Sequence, residues 1–353
     1  MRIKNKDIAE KLGISTTAVS LAINNRPGVS EETRRKVMQL INQSMASNLE
    51  QVPFGNGQNG SILLSVHKKH GHVINDKPFF ANLIETIQQE AMKSSYMLTL
   101  THYTPEQDIR EYIDYIRQLD IDGMLLMATE MDYEDLAYYK ELDVPMVLVD
   151  GSFDLSDVDS VALDNQTAIF RAFDYAYRMG HRDIGFLKGS TYINNFGHHF
   201  DGFAKGIREY GLKDRNHPAI SLPCTIEGAY TEMCRFLENP PDDFKMPTIF
   251  LADLDYISLG AMQALKEKGW RIPEDISMIG YDDVSACEIF DPPLTTTRVN
   301  RDDIGRLAVQ RLVERLKNPG NYYITMQVSS ELIIRQSVKN LNPDDTSPDL
   351  PDV

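Results

Sequence analysis

The chain has 353 residues, 42% of them hydrophobic, and a formal net charge of −16 at pH 7. That length suits two or three domains of ~100–200 residues each, and no apolar run approaches the ~18 residues of a membrane span. The basic start lacks the apolar segment of a secretory signal peptide, and Cys224, Cys234 and Cys287 are odd in number and outside any C-x-x-C spacing, so a cytoplasmic protein with reduced thiols is expected.

Residues 6 to 24, KDIAEKLGISTTAVSLAIN, read as a helix, a tight turn and a second helix. Ile8, Leu12, Ile14, Val19, Ala22 and Ile23 recur at helical spacing on either side of Gly13, which takes the left-handed backbone of a helix end. Ser15 is placed to cap the second helix with its hydroxyl oxygen, and Ser30 to cap a third. In a helix-turn-helix the exposed N-terminal part of the second helix meets base edges. The residues left facing outward there are Thr16, Thr17, Ser20, Leu21 and Asn24. Residues 1–45 carry a net charge of +4 and the remainder −20, so a basic head is drawn to phosphates while an acidic body is repelled. Lys4, Arg34 and Arg35 are among the candidates for backbone contact, with Arg2, Lys6, Arg26 and Lys36.

Residues 46–60 are poor in apolar side chains, rich in Gly and Asn at their end, and read as a linker. A short helix over 45–51 is the most they allow. From Ser61 short apolar runs alternate with amphipathic stretches. Strands are expected at 62–66, 96–101, 123–127, 146–149, 184–187, 248–251 and 277–279. Helices are expected near 80–94, 106–118, 132–142, 166–179, 199–210, 229–238 and 255–268. This alternation predicts an α/β body of parallel sheets in two lobes, over 61–340, with an acidic, Pro-rich and disordered tail at 341–353. Open α/β sheets bind ligands beyond the carboxyl ends of their strands. That rule singles out Asp150, Lys188, Asp253, Asp255 and Asp282, although Asp after a strand is also a common turn former or helix cap.

An enzyme is disfavoured. There is no G-x-G-x-x-G, phosphate-loop or Ser-centred nucleophile-elbow spacing. Adjacent His198 and His199 have no clustered partners in the sequence, so neither metal nor cofactor is expected.

Several separate motifs then carry a resemblance to the LacI/GalR family of bacterial transcription regulators. DIAEKLGISTTAVSLAINNRPGVSEETRRKV resembles the family's DNA-binding head, and VPMVLVD, VALDN, GHRDIGFLKG, DGFAKGI, IPEDISMIGYDD and PPLTTTRVNRDDIGRLAV follow in family order. The resemblance implies a homodimeric regulator, most simply a repressor, on a pseudo-palindromic operator. It also implies a body like the periplasmic sugar-binding proteins, with a small effector such as a sugar or sugar derivative between two lobes and a chain that crosses between them three times. The first lobe would take residues near 61–163 and the stretch after 291, the second most of 164–290 and the final strand region. The effector site implied comprises Asp150, Asp255 and Asp282, with Phe79 near its mouth and His199 where relatives carry an Arg. A contacting His199 would make effector affinity depend on pH around neutrality. Other departures are Leu254-Asp255 in place of an Asn-Asp pair and Leu21 in place of a recognition-helix Arg. The linker lacks the usual hinge-helix pattern, with Leu49 the one minor-groove wedge available.

Overall fold

The computed structural model describes residues 9, 12–16, 18, 19, 30, 33, 59–74, 78–154 and 156–342. Residues 343–353 of the predicted tail at 341–353, and most of the linker, lie outside these residues. The described part of the body forms two six-stranded sheets.

The first sheet contains β1 (Ser61–His67), β2 (Met97–Tyr103), β3 (Gly123–Met127), β4 (Met146–Val149) and β5 (Asp159–Leu163). The helices α1 (Pro78–Lys93), α2 (Ile109–Arg117) and α3 (Tyr133–Lys140) alternate with the first four strands. The second lobe runs through α4 (Asn165–Arg178), β6 (Ile184–Gly189), α5 (Asn194–Glu209), β7 (Ala219–Leu222) and α6 (Ile226–Glu238). It continues through β8 (Ile249–Ala252), α7 (Asp255–Glu267), β9 (Ser277–Asp282), the short α8 (Ala286–Ile289) and β10 (Thr295–Arg298). The chain then returns as α9 (Arg301–Lys317) and β11 (Thr325–Val328) to the first lobe, and ends as β12 (Glu331–Ile333) in the second.

Strand order is β11-β5-β4-β3-β1-β2 in one sheet and β12-β10-β9-β8-β6-β7 in the other. Among the described pairings β10 with β12 is antiparallel and the others are parallel. Wholly buried strands such as GMLLM and MVLV suit a parallel sheet covered on both faces. The chain passes between sheets after Leu163, after Arg298 and after Val328. The second passage corrects the expected return to the first lobe after residue 291. β10 pairs in parallel with β9, its Thr295 opposite Ile279, and so belongs to the second sheet.

Helix starts follow side-chain caps: Asp164 accepts from the Thr167 N–H at 3.1 Å, Thr225 from Gly228 at 3.1 Å, and Asn300 from Asp303 at 3.2 Å. Helix α5 begins at Asn194, five residues before the expected start at 199. Its cap is the buried Ile193, which offers no side-chain oxygen, so the sequence carries no capping signal there. Close helix packing rests on glycine: a Cβ at Gly202 of α5 would lie 2.3 Å from the Gln166 carbonyl oxygen of α4. Gly202→Ala is expected to lower stability by about 1–3 kcal/mol, read as a lower urea midpoint of the body. An unchanged midpoint would mean the two helices separate freely.

Candidate functional site

In the head, Gly13 has φ +64° and the Ile14 N–H reaches back to the Ala9 carbonyl at 3.1 Å. The Ser15 hydroxyl accepts from the Ala18 N–H at 3.1 Å, and Ser30 from Thr33 at 3.1 Å. Both serines therefore act as the caps read from the sequence. Ala9 and Val19 are buried, whereas Thr16 is helical and exposed. Lys4, Thr17, Ser20, Leu21, Asn24, Arg34, Arg35 and Leu49 lie outside the described residues.

In the body, the carboxyl ends of β4 and β9 face a cavity of about 40 Å³ between the lobes. Asp150, Asp282 and His199 line it, together with Val73, Phe80, Thr129, Leu163, Asn165, Ile193, Asn195, Phe196, Leu254 and Tyr281. Asp150 and Asp282 adopt φ of 55° and 118°. Such backbone costs about 1–3 kcal/mol for a residue other than glycine, and strain of this kind gathers at ligand sites. One Asp150 oxygen, Oδ2, accepts the Thr129 hydroxyl at 2.6 Å, and Oδ1 has no protein partner. Burial pushes the Asp150 carboxyl up to about 7, and the Asp282 charge adds to this. The Thr129 hydrogen bond and the Arg301 charge pull it down.

The cavity is gripped from both lobes. Asn194 Nδ2 donates to the Ser152 carbonyl at 2.7 Å, and Asn195 Nδ2 to the Asp150 carbonyl at 3.2 Å. The loop after β1 is folded around Glu130. Its Oε2 accepts from the N–H groups of His70 and Gly71 at 3.2 and 2.7 Å, and its Oε1 from those of Val73 and Ile74 at 2.8 and 3.0 Å. Burial raises the Glu130 carboxyl, but these four donors outweigh it and hold the group below the usual carboxylate range. The clamp fixes Val73 as part of the cavity wall.

One expectation needs correction and another gains detail. Asp255 does not line the cavity: its Oδ1 accepts the Thr296 hydroxyl at 2.5 Å and its Oδ2 the Val284 N–H at 2.9 Å. A Cβ at Gly280 would lie 2.1 Å from Asp255 Oδ1, so the glycine makes room for this inward fold. Asp255 therefore ties α7 to β10 and the turn after β9. Burial, then the Asp282 charge, raises its carboxyl to about 7. His199 lines the cavity but has both ring nitrogens engaged, Nδ1 with Asp253 Oδ1 at 3.1 Å and Nε2 with Asn165 Oδ1 at 3.2 Å. It is not a simple replacement for a contacting Arg.

Phe79 lies in α1, its side chain outside the described residues; its neighbour Phe80 is buried and lines the cavity. The Lys188 ammonium sits over the Phe200 ring, 4.2 Å from its centroid. Asn165, Asn195, Tyr281 and Thr129 were not expected at the site. Asn165 follows an apolar strand end as Asp150 does, so recognising β5 as a strand would have found it. Among the described residues no group of three His, Cys, Asp or Glu side chains is placed to hold a metal ion, and no helix is long and apolar enough to cross a membrane.

A basic head with helix-turn-helix capping, followed by two α/β lobes around a small cavity with apolar walls and a few buried polar groups, fits a ligand-responsive DNA-binding regulator. The comparisons agree. Residues 5–45 match the model of bacterial regulatory proteins of the lacI family, and residues 68–335 that of periplasmic binding proteins and the sugar-binding domain of the LacI family. The HTH-type transcriptional repressor PurR of Histophilus somni (strain 129Pt) is 31% identical over 348 residues, covering 95% of this chain and 99% of the relative. Among solved structures, the transcriptional regulator CelR in complex with cellobiose superposes with a TM-score of 0.69 at 22% identity, over 95% of this chain and all of the other. The lac repressor dimer bound to operator and the anti-inducer ONPF superposes with a TM-score of 0.66 at 20% identity, over 96% and 100%. The chain belongs to the LacI family of bacterial transcription regulators. Its work is regulation through DNA rather than catalysis.

Proposed function

We propose that the protein is a repressor that grips a pseudo-palindromic operator as a homodimer and responds to a small molecule held between its lobes. The observation that carries the effector half is the cavity at the carboxyl ends of β4 and β9, where Asp150 Oδ1 and Asn165 Nδ2 are buried with no protein partner. Buried polar atoms are normally satisfied, so a ligand's own polar groups are the natural complement. Asp150 and Asp282 make a neutral or cationic ligand rich in hydroxyls the best match and disfavour an anion. That the Histophilus somni relative is a transcriptional repressor supports repression as the direction of control.

The DNA half rests on the head. Base contact is assigned to Thr16, Thr17, Ser20, Leu21 and Asn24 from the helix-turn-helix spacing of the sequence, and phosphate contact to Lys4, Arg34 and Arg35. Replacing Thr17 by Ala should relax preference at one base pair by about 1–3 kcal/mol. Replacing Arg35 by Ala should weaken binding to all duplexes alike and flatten the salt dependence by about one ion. Fluorescence anisotropy on operator and scrambled DNA separates the two effects. If neither substitution changes operator affinity, this assignment of the helix is wrong.

A further inference from the structure

His199 occupies a position that its chemistry makes unusual. Both ring nitrogens face oxygen: Asp253 Oδ1 at 3.1 Å and Asn165 Oδ1 at 3.2 Å. Asp253 is itself buried, and its Oδ2 accepts the Gly189 N–H at 2.7 Å. Asn165 Oδ1 also accepts the Tyr281 hydroxyl at 2.7 Å. A neutral imidazole protonated only on Nδ1 would set a bare nitrogen against that amide oxygen. The contacts are satisfied in two ways. Either the ring is an imidazolium facing an Asp253 carboxylate, or Asp253 keeps the bridging proton and donates it to Nδ1. In both, Nε2 carries a proton toward Asn165 and the His199–Asp253 pair is neutral overall.

With Asn165 Oδ1 facing both His199 Nε2 and the Tyr281 hydroxyl, the amide nitrogen is the end left over. Its Nδ2 is buried, belongs to a cavity-lining residue and has no protein partner, as is true of Asp150 Oδ1. One is a donor, the other an acceptor. The other ionisable groups around the ring are Tyr281 of β9, its ring centroid 4.2 Å from that of His199, and Lys188, whose charge acts on Asp253. Asp282 and Asp150 act on Tyr281 in turn.

We infer that His199 and Asp253 form a proton-bearing clamp that turns the Asn165 amide donor-first into the cavity, so that Asn165 and Asp150 together read ligand hydroxyls. His199 is then a positioning residue, and specificity is set by the residue it holds. This inference rests on the reading of the cavity as the effector site, and names its ligand class: uncharged polyhydroxy compounds, with phosphate esters excluded by the carboxylates. Loss of the clamp lets the amide turn, presenting a second acceptor beside Asp150 and repelling the oxygen it should bind.

The clamp is tested without any ligand. The full chain is prepared with ¹⁵N-labelled histidine, the His199 ring signals are assigned by their loss in His199→Gln, and nitrogen shifts are recorded from pH 6 to 8. The expected result is a protonated Nε2 throughout. A bare Nε2 overturns the clamp, whatever binds in the cavity. The ligand class is tested by thermal shift with free pentoses and hexoses, each beside its phosphate ester. A free sugar should raise the Tm and its ester should not. Asn165→Ala and His199→Gln should each weaken that sugar about tenfold, the loss of one buried hydrogen bond. A preferred phosphate ester, or no response to any sugar, overturns the hydroxyl reading even where Nε2 is protonated.

Discussion

Replacing Asp159 by Asn should lower the stability of the body by about 3–5 kcal/mol, the cost of breaking a buried ion pair from one side. Asp159 opens β5 and is fully buried. Its Oδ1 accepts from Arg311 at 3.0 Å and from the Ile324 N–H at 2.7 Å, and its Oδ2 from Arg315 Nε at 2.7 Å. Arg315 also donates to the carbonyls of Gly320 and Tyr322, both at 2.7 Å. One carboxylate thus anchors α9, the loop that follows it and the start of β11. Burial raises the Asp159 carboxyl, but Arg315, the Ile324 N–H and Arg311 outweigh it, so the group stays below its ordinary value of 3.8. A depressed folded value means that its contribution is full above about pH 4 and is lost as pH falls below that. Urea melts of wild type and variant should differ widely at pH 7 and converge in acid. Equal midpoints at pH 7 would show that the two arginines find other partners.

The opposite sign is expected at the ligand site. Asp150→Asn should stabilise the body most at pH 8, by a smaller margin at pH 5, and hardly at all below about pH 4. The Asp150 carboxyl is raised from 3.8 to about 7, chiefly by burial. The folded state therefore holds this proton more tightly than the unfolded chain, and stability falls as pH rises from about 4 to about 7. The gain for the variant should reach about 2–4 kcal/mol at pH 8. Asp255, also raised to about 7, keeps its share of the pH dependence in the variant. The same substitution removes an effector acceptor, so greater stability comes with weaker ligand binding. A ligand hydroxyl donating to Asp150 favours the ionised form, so effector affinity should rise with pH through neutrality. That dependence belongs to Asp150. A stability gap that does not change between pH 5 and 8 would mean Asp150 is ionised without penalty.

Much of the fold was legible because strands buried on both faces leave a short apolar run. β3 and β4 lie where the runs GMLLM and MVLV place them. What escaped has physical causes. β7 alternates exposed and buried residues at a sheet edge, and β10 reads TTTR, apolar in burial but not in composition. Helix α9 was missed because Arg311 and Arg315 occupy its buried face, and two arginines interrupt the apolar stripe by which an amphipathic helix is recognised. The strand-end rule found Asp150 and Asp282 at the cavity. It also chose Asp255, because position after a strand does not tell which way a carboxylate folds. The cavity residue Asn165 carries a signal only once β5 is recognised as a strand, and Asn195 none until the start of α5 is placed. The head was legible in detail at Ser15 and Ser30, where local capping chemistry alone decides the structure.

We propose that the basic head and the two-lobed body make one operator-reading machine. Selection of the full chain on random duplex DNA, followed by sequencing of the bound fraction, tests it most directly. The expected result is enrichment of an inverted repeat whose half-sites are a whole number of helical turns apart. Affinity for that repeat should fall steeply with salt, and Thr17→Ala should blur one position in each half-site. Enrichment of no sequence, or of a single asymmetric site unaffected by Thr17→Ala, would contradict it.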